Sequence, residues 1–164
     1  MEKQMKHKIF PVFYKLNYEK IVVVGGGSIA TRRVKTLLQF DFEIVVVAKE
    51  ASKELKGIEE QGDITLHTKE IKIEDEDTIM RFCEGAYLVV ACTDDKLLNE
   101  QIVRTARAHG SLVNACDNKS LCDFHFPGIH AVDGVVIAVA GDGSDHHKTA
   151  KVLQKIRDGI SYED

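Results

Sequence analysis

Lys20-Ile21-Val22-Val23-Val24-Gly25-Gly26-Gly27-Ser28-Ile29-Ala30 is the stretch on which the fold turns. Four apolar residues, three of them β-branched valines, predict a short strand buried on both faces. They run into Gly25-x-Gly27-x-x-Ala30, after which Arg32 to Phe40 reads as a helix, with Val34, Leu37 and Leu38 at helical spacing. A strand, a tight glycine turn and a helix N-terminus in that order are the parts of a dinucleotide-binding crevice. The first glycine makes the turn, and the second lets backbone approach a pyrophosphate. A small third residue lets helix and strand pack closely, while the free N–H groups of the first helical turn face the phosphates.

Outward from this stretch the pattern repeats. Phe42 to Ala48 is a second buried strand, followed by a helix over Ser52 to Gln61 and a short strand over Ile64 to His67. Thr68 to Asp77 is charge-rich and reads as loop, Thr78 to Glu84 as a short helix, and Ala86 to Ala91 as another strand covered on both faces. Cys92-Thr93-Asp94-Asp95 supplies a cap for a helix striped by Leu97, Leu98, Ile102, Val103 and Ala106, which ends at His109-Gly110. Ser111 to Ala115 is a fifth strand. Strands alternating with helices predict an α/β fold, a Rossmann-type parallel sheet flanked by helices, over residues 1–115. The rhythm then breaks. Over 116–164 two strands, Asp123 to Pro127 and Val135 to Ala140, follow without a helix between them, with Asp133-Gly134 as a hairpin-type turn. An amphipathic helix from Asp145 to Asp158 closes this small appendage, expected to serve dimerisation and the substrate cleft. Ahead of the first strand, residues 9–18 alternate apolar side chains around Pro11 and read as an extended edge segment packed on the domain.

Composition narrows the function. A net charge of −4 offers no basic footprint for nucleic acid. No apolar run approaches the ~20 residues that span a bilayer, and the first residues lack the apolar core of a secretory signal. The chain therefore reads as cytoplasmic. Its four cysteines, Cys83, Cys92, Cys116 and Cys122, show no CxxC pairing and are expected to be reduced thiols. Cys116, Cys122 and His125 match no standard zinc spacing, so no metal site is assigned.

In open parallel sheets ligands bind beyond the carboxyl ends of the strands. The loops expected there are Gly25 to Ala30, Ala48 to Ser52, Thr93 to Asp95, and Asn114 to Asn118. About 20 residues past the glycines, where a ribose-binding acid is expected, the chain has Ala48-Lys49-Glu50. Glu50 suits ribose hydroxyls and Lys49 suits a 2′-phosphate, which leaves NAD against NADP open. Asp117 is the carboxylate best placed for proton transfer beside the nicotinamide end. By spacing alone, the favoured reading of Asp117 is a turn residue bonding nearby amides. His125, His130, His146 and His147 are further acid–base candidates.

Taken together, these residues resemble the precorrin-2 dehydrogenases, the N-terminal module of siroheme synthases. The likeness is carried by Phe10-Pro11-Val12-Phe13, by Val24 to Ala30 with Arg33, by Val90-Ala91-Cys92-Thr93-Asp94-Asp95 with Asn99, by Val113-Asn114-Ala115-Cys116-Asp117, and by Phe124-His125-Phe126-Pro127 before the strand at Val135. It implies NAD-dependent oxidation of precorrin-2 to sirohydrochlorin on the route to siroheme, with insertion of ferrous iron a further activity of some members. It also implies catalysis at Asp117, and dinucleotide contacts at Ser28, Ile29, Lys49, Glu50 and Thr93 in addition to Gly25, Gly27 and Asn114. The expected partners are the tetrapyrrole, ferrous iron as a substrate, and a second copy of the chain. Arg32, Arg33, Lys119 and His125 are candidates to meet the tetrapyrrole carboxylates. The turn Ala140 to His147 departs from the family's serine- and glycine-rich Ser-Pro turn. Family members are also typically longer at the C-terminal side. Those departures motivate two rival readings: a non-catalytic dinucleotide or tetrapyrrole carrier or sensor, and a dedicated sirohydrochlorin ferrochelatase.

Overall fold

Runs of β-branched residues hold five strands, and in the computed structural model, which describes residues 9–141 and 145–160 (the side chain of His146 excepted), all five are parallel. They are β1 Lys20–Val24, β2 Glu43–Ala48, β3 Thr65–Thr68, β4 Leu88–Ala91 and β5 Leu112–Ala115, in the order β3-β2-β1-β4-β5. Sequence order reverses on either side of β1, so the switch point lies between β1 and β4, where Val24 pairs with Ala91. Between the strands run α1 Ser28–Leu37, α2 Lys53–Glu60, α3 Glu76–Cys83 and α4 Lys96–Ala108.

Alternation along each strand feeds two cores. Val22, Val24, Val45, Val47, Val89, Ala91, Val113 and Ala115 pack with Ile79 and Cys83 of α3 and with Leu98, Ile102, Val103 and Ala106 of α4. The intervening residues Ile21, Val23, Ile44, Val46 and Val90 are also buried, as are Ala30, Val34 and Leu37 of α1 and Leu55 of α2. Covering both faces explains why the strands read as continuous apolar runs.

The chain forms two compact units. Lys15–Phe124 contains the parallel sheet; the other comprises the described residues up to Tyr14 together with the described residues from His125 onward. In this second unit β6 Gly128–Val132 and β7 Val135–Val139 form an antiparallel hairpin, and α5 His146–Gly159 follows. Asp133 and Gly134 both take positive φ at the hairpin turn, as the Asp-Gly pair predicts. Leu153 of α5 sits over Gly128, where a Cβ would come within 2.8 Å of it, and Arg157 donates to the Ile129 carbonyl at 2.9 Å. Asp145 caps α5 by accepting from the Lys148 N–H.

Three expectations need correction. The first helix starts at Ser28 rather than Arg32, because Gly27 itself takes the N-cap position. The strand expected at Asp123 to Pro127 lies instead at Gly128–Val132. Asp123 and Phe124 turn their hydrogen bonds sideways onto β5, through Asp123 N–H to the Val113 carbonyl and the Phe124 carbonyl to Asn114. Residues 9–18 form no strand, and Phe10, Val12 and Phe13 are exposed rather than packed.

Candidate dinucleotide site

Gly25 has φ +128°, a conformation that side chains avoid, and a Cβ there would overlap the Cys92 carbonyl. Its N–H is held by the Val47 carbonyl at 2.8 Å. Gly26 is tighter still: a Cβ would run into the Glu50 carbonyl and the Cα of Ala51. Gly27 is the opposite case, with nothing within 4 Å of where its Cβ would be. It precedes α1 as an N-cap with no side-chain capping bond, and the first turn of the helix carries no acid. Exposed N–H groups with the positive end of the helix dipole behind them therefore face open space. Ser28 and Ile29 are exposed at that mouth.

The second loop is bolted to this turn. Ser52 N–H donates to the Gly26 carbonyl at 2.9 Å, and the Ser52 hydroxyl shares a 2.9 Å hydrogen bond with Thr31 while accepting from Leu55 N–H as the cap of α2. Thr31 in turn donates to the Gly27 carbonyl. Lys49 and Glu50 are both exposed here. The Lys49 ammonium lies 2.8 Å from Glu70, and that pairing raises the lysine pKa and lowers the glutamate's. A 2′-phosphate would have to compete with Glu70 for this lysine, whereas Glu50 stands beside the turn.

Asn99, fully buried on α4, fixes the third loop. Its Oδ1 accepts from Thr93 N–H at 3.1 Å and from the Thr93 hydroxyl at 2.7 Å, and its amide donates to the Thr93 carbonyl at 3.1 Å. Asp95 caps α4 by accepting from Leu97 and Leu98 N–H. The Thr93 hydroxyl is thus engaged within its own loop.

At the end of β5, Asn114 is buried and its amide donates to the Phe124 carbonyl at 2.9 Å. Its Oδ1 is buried without a hydrogen-bond partner among the described residues. Asp117, three residues on, is exposed on the loop that leaves the sheet. Arg107 fastens the far end of that loop by pairing with Asp123 at 2.8 Å and donating to the Leu121 carbonyl. On α1, Arg33 is half-buried, and burial, with Arg32 beside it, lowers its pKa.

Cys92 and Cys116 continue β4 and β5 by one residue and are joined as a disulfide, with Cα atoms 5.2 Å apart. The expectation of four reduced thiols is corrected here: register sets these two side by side, although 24 residues separate them in sequence. Cys83 and Cys122 are free thiols, and burial pushes Cys83 up to about 11 and raises Cys122.

All the predicted site residues, Gly25, Gly27, Ser28, Ile29, Lys49, Glu50, Thr93, Asn114 and Asp117, fall in the Lys15–Phe124 unit, on loops, strand ends or the first turn of α1 at the carboxyl edge of the sheet. Sequence reasoning assigned no role to Gly26, the tightest of the three glycines, or to Asn99, whose signal was a buried amide on the apolar stripe of α4. The altered turn after Ala140 includes residues 142–144, outside the described residues; His147 is exposed, as is His125.

An uncapped helix N-terminus with an open glycine ahead of it is a fitting cradle for a dinucleotide pyrophosphate. Comparison with known proteins bears on the same point. The profile of the NAD_binding_7 family, described as "Putative NAD(P)-binding", matches residues 12–128. The chain is 36% identical over 149 residues to a "Probable multifunctional siroheme biosynthesis protein HemA" of Ruminiclostridium josui, covering 90% of this chain and 28% of that protein. It is 38% identical over 135 residues to a siroheme synthase of Mannheimia succiniciproducens, covering 82% of this chain and 27% of that one. The chain thus spans little more than a quarter of the length of these curated relatives. Among solved structures, one titled "SirC, precorrin-2 dehydrogenase" is similar with a TM-score of 0.73 and 25% identity, over 93% of this chain and 72% of that one. With its glycine turn, its switch point and a family match over most of its length, the chain belongs to the NAD_binding_7 family of NAD(P)-binding proteins.

Proposed function

We propose that the chain is a precorrin-2 dehydrogenase module that uses NAD to form sirohydrochlorin in siroheme biosynthesis. The observation that carries this reading is the pairing of an open, uncapped α1 N-terminus with an exposed carboxylate, Asp117, at the end of β5 of the same sheet. The names of the similar proteins, siroheme synthases and a precorrin-2 dehydrogenase, supply the substrate class.

The dehydrogenation removes two electrons and two protons from the macrocycle: one hydride and one proton. Bound NAD supplies the hydride acceptor. Gly25 and Gly27 let the backbone close on the pyrophosphate, and Ser28 and Ile29 flank it. Glu50 takes the ribose hydroxyls, which favours NAD while Lys49 stays paired with Glu70. The Thr93 loop, held by Asn99, and Asn114 line the nicotinamide end, where the buried Asn114 Oδ1 is an acceptor for the carboxamide. Asp117 accepts the proton as the C–H bond breaks, so that charge does not accumulate on the ring. Arg32, Arg33 and Lys119 supply donors to the tetrapyrrole carboxylates.

In this reading the region 116–164 serves dimerisation. Exposure of Val135, Val136 and Val152 on the hairpin and α5 supports a partner there, since a lone hairpin and one helix bury little. The reaction belongs in the cytoplasm, where NAD is plentiful.

Anaerobic incubation of the chain with precorrin-2 and NAD tests the proposal. NADH and sirohydrochlorin formed in equal amounts are expected. Binding of both ligands without NADH would overturn it in favour of a carrier. Iron insertion into supplied sirohydrochlorin without NAD would identify a chelatase instead.

A further inference from the structure

The Cys92–Cys116 pair has geometry and a location that the proposed reaction does not use. β4 and β5 are in register through Ala91 and Ala115, and the Cys116 N–H donates to the Ala91 carbonyl at 2.9 Å. The two cysteines are therefore the next cross-strand neighbours. Their Cα separation of 5.2 Å lies inside the range that a disulfide spans without backbone movement. Alternation along the strands puts both side chains on the face opposite Ala91 and Ala115, away from the α3–α4 core. A Cβ at Gly25 would stand 3.2 Å from the Cys92 Cβ, so the pair lies directly beside the phosphate-binding turn. Both residues are half-buried, and each is followed by a proposed site residue, Thr93 and Asp117. Cys122, a free thiol, accepts from the Ala115 N–H at 3.3 Å and packs against the α3–α4 core. Cys83 is sealed within that core.

We propose that Cys92 and Cys116 form a reversible thiol-modification site for low-molecular-weight disulfides, open when the dinucleotide is absent and covered when it is bound. In the first step one cysteine thiolate attacks a sulfur of the small disulfide, forming a mixed disulfide and releasing one small thiol. The neighbouring cysteine then attacks the protein sulfur of that mixed disulfide and releases the second small thiol. Two electrons leave the protein pair and reduce one small disulfide, and the two cysteine protons end on the two departing thiols. Reduction by excess small thiol is the reverse. A cytoplasmic setting suits this chemistry, because disulfides there are mostly transient. The coupling to occupancy rests on the proposed dinucleotide site; the pairing of the cysteines does not.

Fully reduced chain is incubated with glutathione disulfide, with and without saturating NAD, quenched in acid, alkylated and mapped by peptide mass. A Cys92–Cys116 disulfide is expected, with Cys122 alkylated as a free thiol and Cys83 alkylated only after unfolding. NAD should slow its formation at least about fivefold, and C92S and C116S should each abolish it. Alkylation of both Cys92 and Cys116 at every glutathione ratio, or a Cys116–Cys122 bridge, would overturn the site. Titration of NADH fluorescence separates the remaining outcomes. Dinucleotide binding without slowed oxidation would overturn the coupling. No dinucleotide binding, with the disulfide still forming, would overturn the proposed cofactor site while the thiol site stands.

Discussion

Three adjacent glycines do three different jobs, and substitution separates them. Gly26→Ala drives a methyl into the Glu50 carbonyl and the Ala51 backbone, which cannot yield as a flexible side chain could. Overpacking of this kind costs about 1–3 kcal/mol or more, so a fall in thermal midpoint of several degrees is expected by calorimetry. Gly27→Ala meets open space at an ordinary φ of −81°. Its midpoint should move little, while dinucleotide affinity, read by NADH fluorescence titration, should drop about tenfold or more because the methyl occupies the path to the helix N-terminus. Equal effects of the two substitutions on stability and binding would contradict this division. Asp117→Asn keeps the shape of the loop and removes the proposed proton acceptor. Turnover should fall by at least about 10²-fold, with NAD dissociation constants within about twofold of the parent; retained turnover would remove Asp117 from the mechanism. Cys83 offers a pH test. Burial raises its pKa to about 11 from the ordinary 9.0, so the unfolded chain loses this proton first as pH rises. Stability is full below pH 9 and declines from there toward pH 11, by up to about 2–3 kcal/mol from this thiol. Cys83→Ala should flatten that part of the profile in denaturant titrations.

At the level of elements, the loop after β4 shows how a polar residue can decide loop shape. Asn99 satisfies three groups of Thr93 from a buried position on α4. Asn99→Ala leaves the Thr93 N–H and carbonyl without those partners, a cost of about 1–3 kcal/mol. The Thr93–Asp95 amides should then exchange faster with deuterium while those of β1 do not. Uniform acceleration across the sheet would point to global destabilisation instead. The strands of the parallel sheet were legible because each is a β-branched run covered on both faces. α4 was legible because its stripe begins at an acidic cap and ends at Gly110. The start of α1 was not, since Gly27 caps by position without a side-chain signal. Nor was β6: residues 123–127 carry strand-like apolar content, but Asp123 and Phe124 spend their hydrogen bonds on β5. Neighbourhood in space, as for Cys92 and Cys116, is set by strand register. A linear reading gives no spacing rule for it.

For the whole molecule, two compact units divide the work between a covered sheet and a lightly covered hairpin with α5. Val135 is 52% exposed on that hairpin and Val152 42% exposed on α5. Sedimentation at micromolar concentration should return a dimer mass, and Val135→Asp should shift it toward the monomer while leaving NADH binding by the Lys15–Phe124 unit intact. A parent chain that sediments as a monomer would end the dimer proposal. No helix among the described residues is long and apolar enough to cross a membrane.

The contact between Gly26 and the Glu50 backbone, together with the bond from Ser52 to the Gly26 carbonyl, has a consequence for anyone wishing to rewrite cofactor preference. The loop proposed to meet the ribose and the turn proposed to meet the phosphates are one casting, so inserting or deleting a residue between Ala48 and Ser52 would also deform the glycine turn. If the proposed site takes NAD, conversion toward NADP is therefore a matter of exchanging side chains at Glu50 and Glu70 on an untouched backbone: removing the first would clear space for a 2′-phosphate, and removing the second would release Lys49 to meet it.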